Sequence, residues 1–410
     1  MPTTRRRLLG AGLAAAAAGG MVPRRAHAAG PQPLAVGALF PLSGSLSLMG
    51  DESFRGLDLA TDECNAAGGL FGRPITIARG DAADAAAAAA EAKRLLEQAK
   101  VGCVFGSYAA AVALAASAVT ELAGMPYFEL DALADAVTER GLKLIFRTAP
   151  LASACGTLAA DTVADELAPR WGTEPSALRV ALLHEDGQTG SAVAAAQEKR
   201  CKERDLTLIE RIPYPAASID LAPLAQRLRG ANADVVLHTG HATDVVLFHR
   251  ALKQAEWRPR MVIGAGGGYS LNDTAQALGA EIEGVLNVDV TQYRVSAIVA
   301  PGAAEVAAAY QRKYGAPPRS GHSLVCFAGA RLFYEALRRA GTFEHDKLRA
   351  AILATDAPPG SLVGGFGVKF NEKGQNTRAA PYLSQWQKGA LVTVAPREAA
   401  VAELVPRLGG

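Results

Sequence analysis

The chain has 410 residues, of which 50% are hydrophobic and 20% charged, with a formal net charge of +2. That length allows two lobes of ordinary domain size, each with its own core. A near-neutral balance supplies no field for holding nucleic acid or an anionic membrane surface, so those partners are not expected.

The first 28 residues read as a leader. Thr4-Arg5-Arg6-Arg7-Leu8-Leu9 fits a twin-arginine export signal, the apolar segment to Gly20 is too short to span a bilayer, and Ala26-His27-Ala28 forms an A-x-A cleavage pattern. Cleavage after Ala28 and a periplasmic product are predicted. Without the leader's five arginines the chain carries 37 basic and 40 acidic residues, a formal charge of −3. No later segment has the roughly 18 uninterrupted apolar residues of a membrane helix.

The stretch from Leu34 to Ile77 is the most informative. An apolar strand at 34–40 ends at Pro41, a small-residue loop follows to Gly50, a helix at 50–66 stops at Gly68-Gly69, and a second strand begins at 74. In such a unit the loop after the first strand lies at the carboxyl edge of a parallel sheet, where open α/β folds bind small molecules. That loop carries Ser43, Ser45, Ser47 and Met49. Onward, strands are predicted at 74–79, 101–105, 126–129, 143–147, 178–184, 206–212, 233–238, 260–264 and 284–289. They alternate with helices near 82–99, 110–123, 152–170, 189–204, 219–230, 242–256 and 272–279. Two longer amphipathic helices are expected at 301–314 and 321–340, and a strand-and-turn region closes the chain. The fold class is therefore α/β, with two parallel-rich sheets flanked by helices.

Candidate site residues cluster at predicted strand ends. Ser107, Tyr108, Ala109 and Ala110 open the helix at 110–123, whose amino terminus offers N–H groups to an anionic or polar ligand atom. Glu129, Asp131 and Leu133 follow the next strand, and two carboxylates there suit a cation, an amine or hydroxyl donors. Glu185, Gln188 and Thr189 occupy the corresponding place in the second half, with His241, Gly266 and Tyr269 beyond them. His238, His241 and Asp244 fall short of a convincing zinc set, and Gly264 to Tyr269 lacks the last glycine of a dinucleotide fingerprint. No metal, cofactor or catalytic set is expected, since neither a nucleophile elbow nor a phosphate loop occurs. The five cysteines, Cys64, Cys103, Cys155, Cys201 and Cys326, are scattered and odd in number, and read as packing residues.

Several landmarks occur in a familiar order: Pro41-Leu42-Ser43-Gly44 with Gly50, Asn65-Ala66-Ala67-Gly68-Gly69 with Gly72, Asp81, then VGCVFGSYAAA (101–111), MPYFE (125–129), VTERGLKLIFRTAP (137–150) and RVALLHEDGQTG (179–190). Together they resemble the type I periplasmic solute-binding proteins of the leucine/isoleucine/valine-binding family. The resemblance implies a two-lobed flytrap: lobe 1 from 33–148 plus 290–357, lobe 2 from 149–289 plus 358–396, three crossings between them, and a tail at 397–410. It implies a monomeric, non-enzymatic receptor that takes a small polar solute, amino-acid-like, an amide, an amine or a small organic acid, to an inner-membrane ABC permease. A ligand sensor of the same fold acting on a regulatory partner, or an exported α/β hydrolase, are the alternatives. In that family hydroxyls hold the ligand carboxylate and an acid of the second lobe meets its ammonium. On this chain those positions fall on Ala110, Leu133 and Gly266, so the resemblance also implies that branched-chain amino acids bind poorly.

Overall fold

A computed structural model describes residues 32–408. The predicted leader and its cleavage site lie outside the described residues. The first half alternates β1 (Leu34–Phe40), α1 (Ser47–Ala66), β2 (Ile75–Asp81), α2 (Ala85–Glu97), β3 (Val104–Gly106), α3 (Ala110–Leu122), β4 (Tyr127–Glu129), α4 (Ala136–Glu139) and β5 (Ile145–Arg147). The second begins with α5 (Ala152–Asp161), a π-helical turn at Thr162–Leu167 and α6 (Ala168–Arg170). Sequence periodicity reads these three pieces as one helix. The Ala168 N–H reaches back to the Val163 carbonyl, a wider turn that accommodates Pro169, which has no N–H to give. Then come β6 (Arg179–Glu185), α7 (Gln188–Glu203), β7 (Thr207–Tyr214), α8 (Ala222–Gly230), β8 (Val235–Thr239), α9 (Ala242–Gln254), β9 (Met261–Ala265), α10 (Asn272–Leu278) and β10 (Leu286–Asp289). The chain closes with α11 (Ala303–Tyr314), α12 (His322–Ala340), α13 (His345–Leu353), β11 (Asp356–Ala357), β12 (Val368–Lys369), β13 (Tyr382–Gln387) and β14 (Ala390–Ala395). Among the described residues no helix is long and apolar enough to cross a membrane.

The strands form two main sheets. The first is all parallel, in the order β2-β1-β3-β4-β5, and the second runs β14-β13-β10-β9-β8-β6-β7 with only β13 and β14 antiparallel. Leaving those two aside, the second sheet repeats the order of the first. Strand order therefore reverses twice, between β1 and β3 and between β6 and β8, and each reversal opens a crevice at the carboxyl ends of the strands.

Each sheet has its own apolar core. In the first, Phe128 stacks on Phe333 of α12 at 4.3 Å between ring centroids, with Phe105, Phe146 and Phe370 around them. In the second, Leu182, Leu237, Ile263 and Val288 from four neighbouring strands pack under α5. The chain passes between the two sheets three times, from β5 into α5, from β10 into α11, and from β12 into β13. Val368 and Phe370 fill the first core, so the last passage starts beyond Phe370 rather than at the expected residues 357/358. Residues beyond 396 dock on the second sheet: Ala399 and Leu404 join its core, and Trp171 Nε1 donates to the Pro406 carbonyl at 2.7 Å.

Helices cross most closely where a glycine removes the side chain. A Cβ on Gly56 of α1 would sit 2.2 Å from the Ser323 carbonyl oxygen of α12, and one on Gly156 of α5 would sit 2.4 Å from the Val193 carbonyl oxygen of α7. Backbone opposite backbone has no flexible end to give way. Gly56→Ala and Gly156→Ala are each expected to destabilise the protein by about 1–3 kcal/mol through overpacking. Chemical unfolding tests this; either variant at wild-type stability would contradict the assigned close approach.

Candidate ligand-binding cleft

Both crevices open onto one cavity. Its volume is about 180 Å³, and cavities of about 150 Å³ accept a benzene ring. From the first sheet it is lined by Leu46, by Tyr108 to Ala111 after β3, and by Asp131 and Leu133 after β4. The second sheet contributes Glu185, Gly187, Gln188 and Thr189 around the end of β6, Ala216, Thr239 to His241 after β8, and Ala265 to Gly267 after β9. Three helices, α3, α7 and α9, begin at this cavity.

The structure brings ten of the expected residues to the lining: Tyr108, Ala109, Ala110, Asp131, Leu133, Glu185, Gln188, Thr189, His241 and Gly266. The others stand elsewhere. Ser43 and Ser45 are exposed, because the Leu42 and Ser43 N–H groups donate to Asp81 Oδ1 at 2.9 and 3.1 Å and turn that loop outward. Ser47 is only partly covered at the start of α1, and Leu46 points into the cavity instead. Met49 lies at the contact between the halves, its Cε 2.6 Å from where a Cβ on Gly267 would be.

Ser107 and Glu129 are buried and spent on each other. Glu129 Oε1 accepts the N–H groups of Ser107, Asp131 and Ala132 at 2.7–2.9 Å, and Oε2 accepts the Ser107 hydroxyl at 3.0 Å. Burial raises the Glu129 pKa and these hydrogen bonds oppose the rise. Glu129 therefore shapes the loop that presents Asp131, without reaching the cavity. Tyr269 likewise turns inward, its hydroxyl 2.6 Å from His238 Nδ1, while His238 Nε2 lies 2.9 Å from the Tyr214 hydroxyl. Burial pushes the His238 pKa well below its ordinary value, so this imidazole is a neutral core group.

The electrostatics are dominated by acids. Glu185 accepts the Gly187 and Gly190 N–H groups at 2.5 and 2.6 Å and so caps α7. Asp244 accepts the His241 N–H at 2.9 Å, and His241 in turn caps α9. Just under the lining, His322 at the start of α12 bridges Asp131 Oδ1 at 2.7 Å and Asp289 Oδ2 at 3.0 Å, all three fully buried. Asp131 also accepts the Ser53 hydroxyl. Burial works to strip the His322 proton, but the two carboxylates outweigh it and hold the pKa well above the ordinary histidine value. Sequence reasoning missed His322, Asp289 and Thr239, whereas Leu46 and Gly267 lie in loops it assigned to the site, Ser43 to Gly50 and residues 265–269, without being singled out. Asp289 closes the predicted strand at 284–289 and Thr239 directly follows the one at 233–238, so attention to strand ends alone could have found them.

Residues 33–390 match the family model described as periplasmic binding protein. The chain belongs to the periplasmic binding protein family. It is 44% identical over 369 residues to the Leu/Ile/Val-binding protein homolog 8 of Brucella abortus (strain 2308), covering 90% of this chain and 92% of that one. Among solved structures it resembles the leucine binding protein LivK of Thermotoga maritima, with a TM-score of 0.77 and 20% identity over 88% of this chain and 98% of that one. It also resembles a solute binding protein of an ABC transporter from Rhodopseudomonas palustris in complex with 3,4-dihydroxybenzoic acid, with a TM-score of 0.75 and 21% identity over 90% and 98%. This is a family of binding proteins, not of enzymes. The two solved relatives share the type I periplasmic binding fold with this chain.

The buried carboxylate–imidazolium–carboxylate bridge of this periplasmic binding protein is expected to govern its stability. His322→Leu leaves two buried carboxylates without their cation, and should lower stability by about 3–5 kcal/mol near neutral pH. Because the folded pKa is raised, the contribution is fully present below the ordinary value of 6.5 and is lost as pH rises through the folded value. Urea unfolding of both proteins across pH should show the gap narrowing on the alkaline side. A gap that widened there would overturn the imidazolium assignment.

Proposed function

We propose that this periplasmic binding protein captures one small polar solute between two lobes and delivers it to an inner-membrane ABC permease. The observation that carries the reading is the cavity itself, shared between the crevices of two like-ordered sheets. A solute touching both halves stabilises the closed form over the open one and shifts the population toward it. The working boundaries remain lobe 1 at 33–148 with a return segment from 290, and lobe 2 at 149–289 with the carboxyl-terminal strands. The ligand-contacting set is the ten expected lining residues together with Leu46, Thr239 and Gly267. The receptor acts as a monomer.

The position that the family resemblance gives to an ammonium-binding acid is Gly266, whose missing side chain would point into open space. Ala110 and Leu133 line the cavity where the resemblance puts hydroxyls. Losing a charge-assisted partner weakens binding by roughly 1.5–3 kcal/mol, about ten-fold or more. Leucine, isoleucine and valine should therefore bind weakly. Calorimetry with leucine tests this, and a submicromolar constant would refute it. A solute that does bind should compact the protein in small-angle scattering; unchanged profiles at saturation would count against lobe closure.

Export by the twin-arginine route is part of the proposal and rests on the leader pattern alone. Replacing Arg5 and Arg6 with lysine should leave the protein in the cytoplasm, as fractionation and immunoblotting would show. Normal periplasmic yield from that variant would dismiss the route.

A further inference from the structure

The lining of the cavity contains two carboxylate side chains, Asp131 from the first sheet and Glu185 from the second, and neither lysine nor arginine. Asp244 and Asp289 stand behind them. Their joint field is felt at the half-buried Tyr108 hydroxyl, whose pKa is raised by burial first and then by Asp289, Asp131, Glu185 and Asp244. The imidazolium of His322 is already held between two of these acids. A closed site of this composition repels an anion and attracts a cation.

A second observation points to a ligand in the same place. Thr239 is 3% exposed, lines the cavity, and its hydroxyl has no hydrogen-bond partner. A buried hydroxyl without a partner is costly unless a ligand supplies one. Glu185 also keeps acceptor capacity after its two backbone hydrogen bonds, since a carboxylate has about four lone-pair sites. Leu46, Leu133, Ala216 and Ala265 leave the rest of the space apolar. The first turn of α3, which has no side-chain cap, suits an uncharged oxygen.

Resting on the solute-capture reading, we infer that the solute is a compact amine with an apolar body, and that Asp131, Glu185 and Thr239 select its protonated nitrogen. A bare carboxylate such as benzoate is rejected by the same acids. Recognition of the nitrogen thus lies at strand ends of both sheets and needs no side chain at Gly266.

The test uses two matched series on the purified wild-type protein at pH 7 by calorimetry: 3-methylbutylamine, leucine and 4-methylpentanoate, then benzylamine, phenylglycine and benzoate. Within each series the body is held nearly constant while the charge changes from cation to zwitterion to anion. The amine should bind at least about ten-fold tighter than the acid in both series. Asp131→Asn should weaken amine binding by a similar factor. Because Asp131 also supports His322, Thr239→Val serves as a second variant, expected to lose several-fold in amine affinity with its melting temperature retained. Acids binding more tightly than amines would overturn the charge assignment and leave solute capture standing. No binding by either amine at millimolar concentration would overturn the amine inference, whereas absence of compaction with a solute that does bind would overturn the capture reading.

Discussion

One imidazolium holds the two halves of the ligand cleft in register. His322 starts a helix of the first core, yet it touches a carboxylate from each sheet, Asp131 after β4 and Asp289 at the end of β10. In a buried setting each of these charges would be expensive alone, and together they form an arrangement that tolerates little displacement. The loop that carries Asp131 to the cavity is fixed a second time by Arg147. Its guanidinium donates to the carbonyls of Ala132 and Ala134 at 3.0 and 2.7 Å and to Gln375 Oε1 at 2.6 Å. Gln375 in turn donates to the Ala149 carbonyl at 3.0 Å, so the first and third passages between the sheets are tied at one point. Burial lowers the Arg147 pKa to about 10, which still leaves it charged at neutral pH.

Much of this architecture is legible in the sequence because each sheet is built from repeated strand, loop and helix units. The predicted strand at 34–40 coincides with β1, and the helices at 110–123, 242–256 and 272–279 are recovered within two residues at either end. Strand ends named the right loops for the same reason. Residue type misled within those loops. Serines at 43 and 45 carry attractive hydroxyls, but Asp81 turns their loop to solvent, and Leu46 takes the inward place. Glu129 and Tyr269 carry suitable groups too, but they are consumed by their own surroundings. His322 was out of reach because its partners lie 191 and 33 residues away, and only the folded topology brings them together.

The other two acids around the cavity are held by backbone rather than by a cation. Glu185 and Asp244 accept N–H groups at the starts of α7 and α9, which satisfies them without a long flexible partner. Such partners are fixed by the helices themselves, so the site needs little reorganisation when it closes. The aromatic edge of Tyr108 spans the same region, 5.5 Å from the His322 ring and 6.4 Å from that of His241, and so joins the two sheets across the cleft.

The glycine run after β9 has a bearing on how such a receptor changes over generations. Gly266 adopts a φ of +87°, a conformation that side chains rarely take, and a Cβ on Gly268 would lie 2.2 Å from the Gly240 carbonyl oxygen. A glycine codon stands one base away from aspartate or glutamate, so an acid at position 266 is a single genetic step away. Its backbone conformation, φ +87° with ψ −175°, opposes any such side chain by about 1–3 kcal/mol. The loop thus sets a barrier of its own: a single base change would supply the carboxylate, but a turn shaped for glycine would have to be remodelled before that side chain fitted without strain.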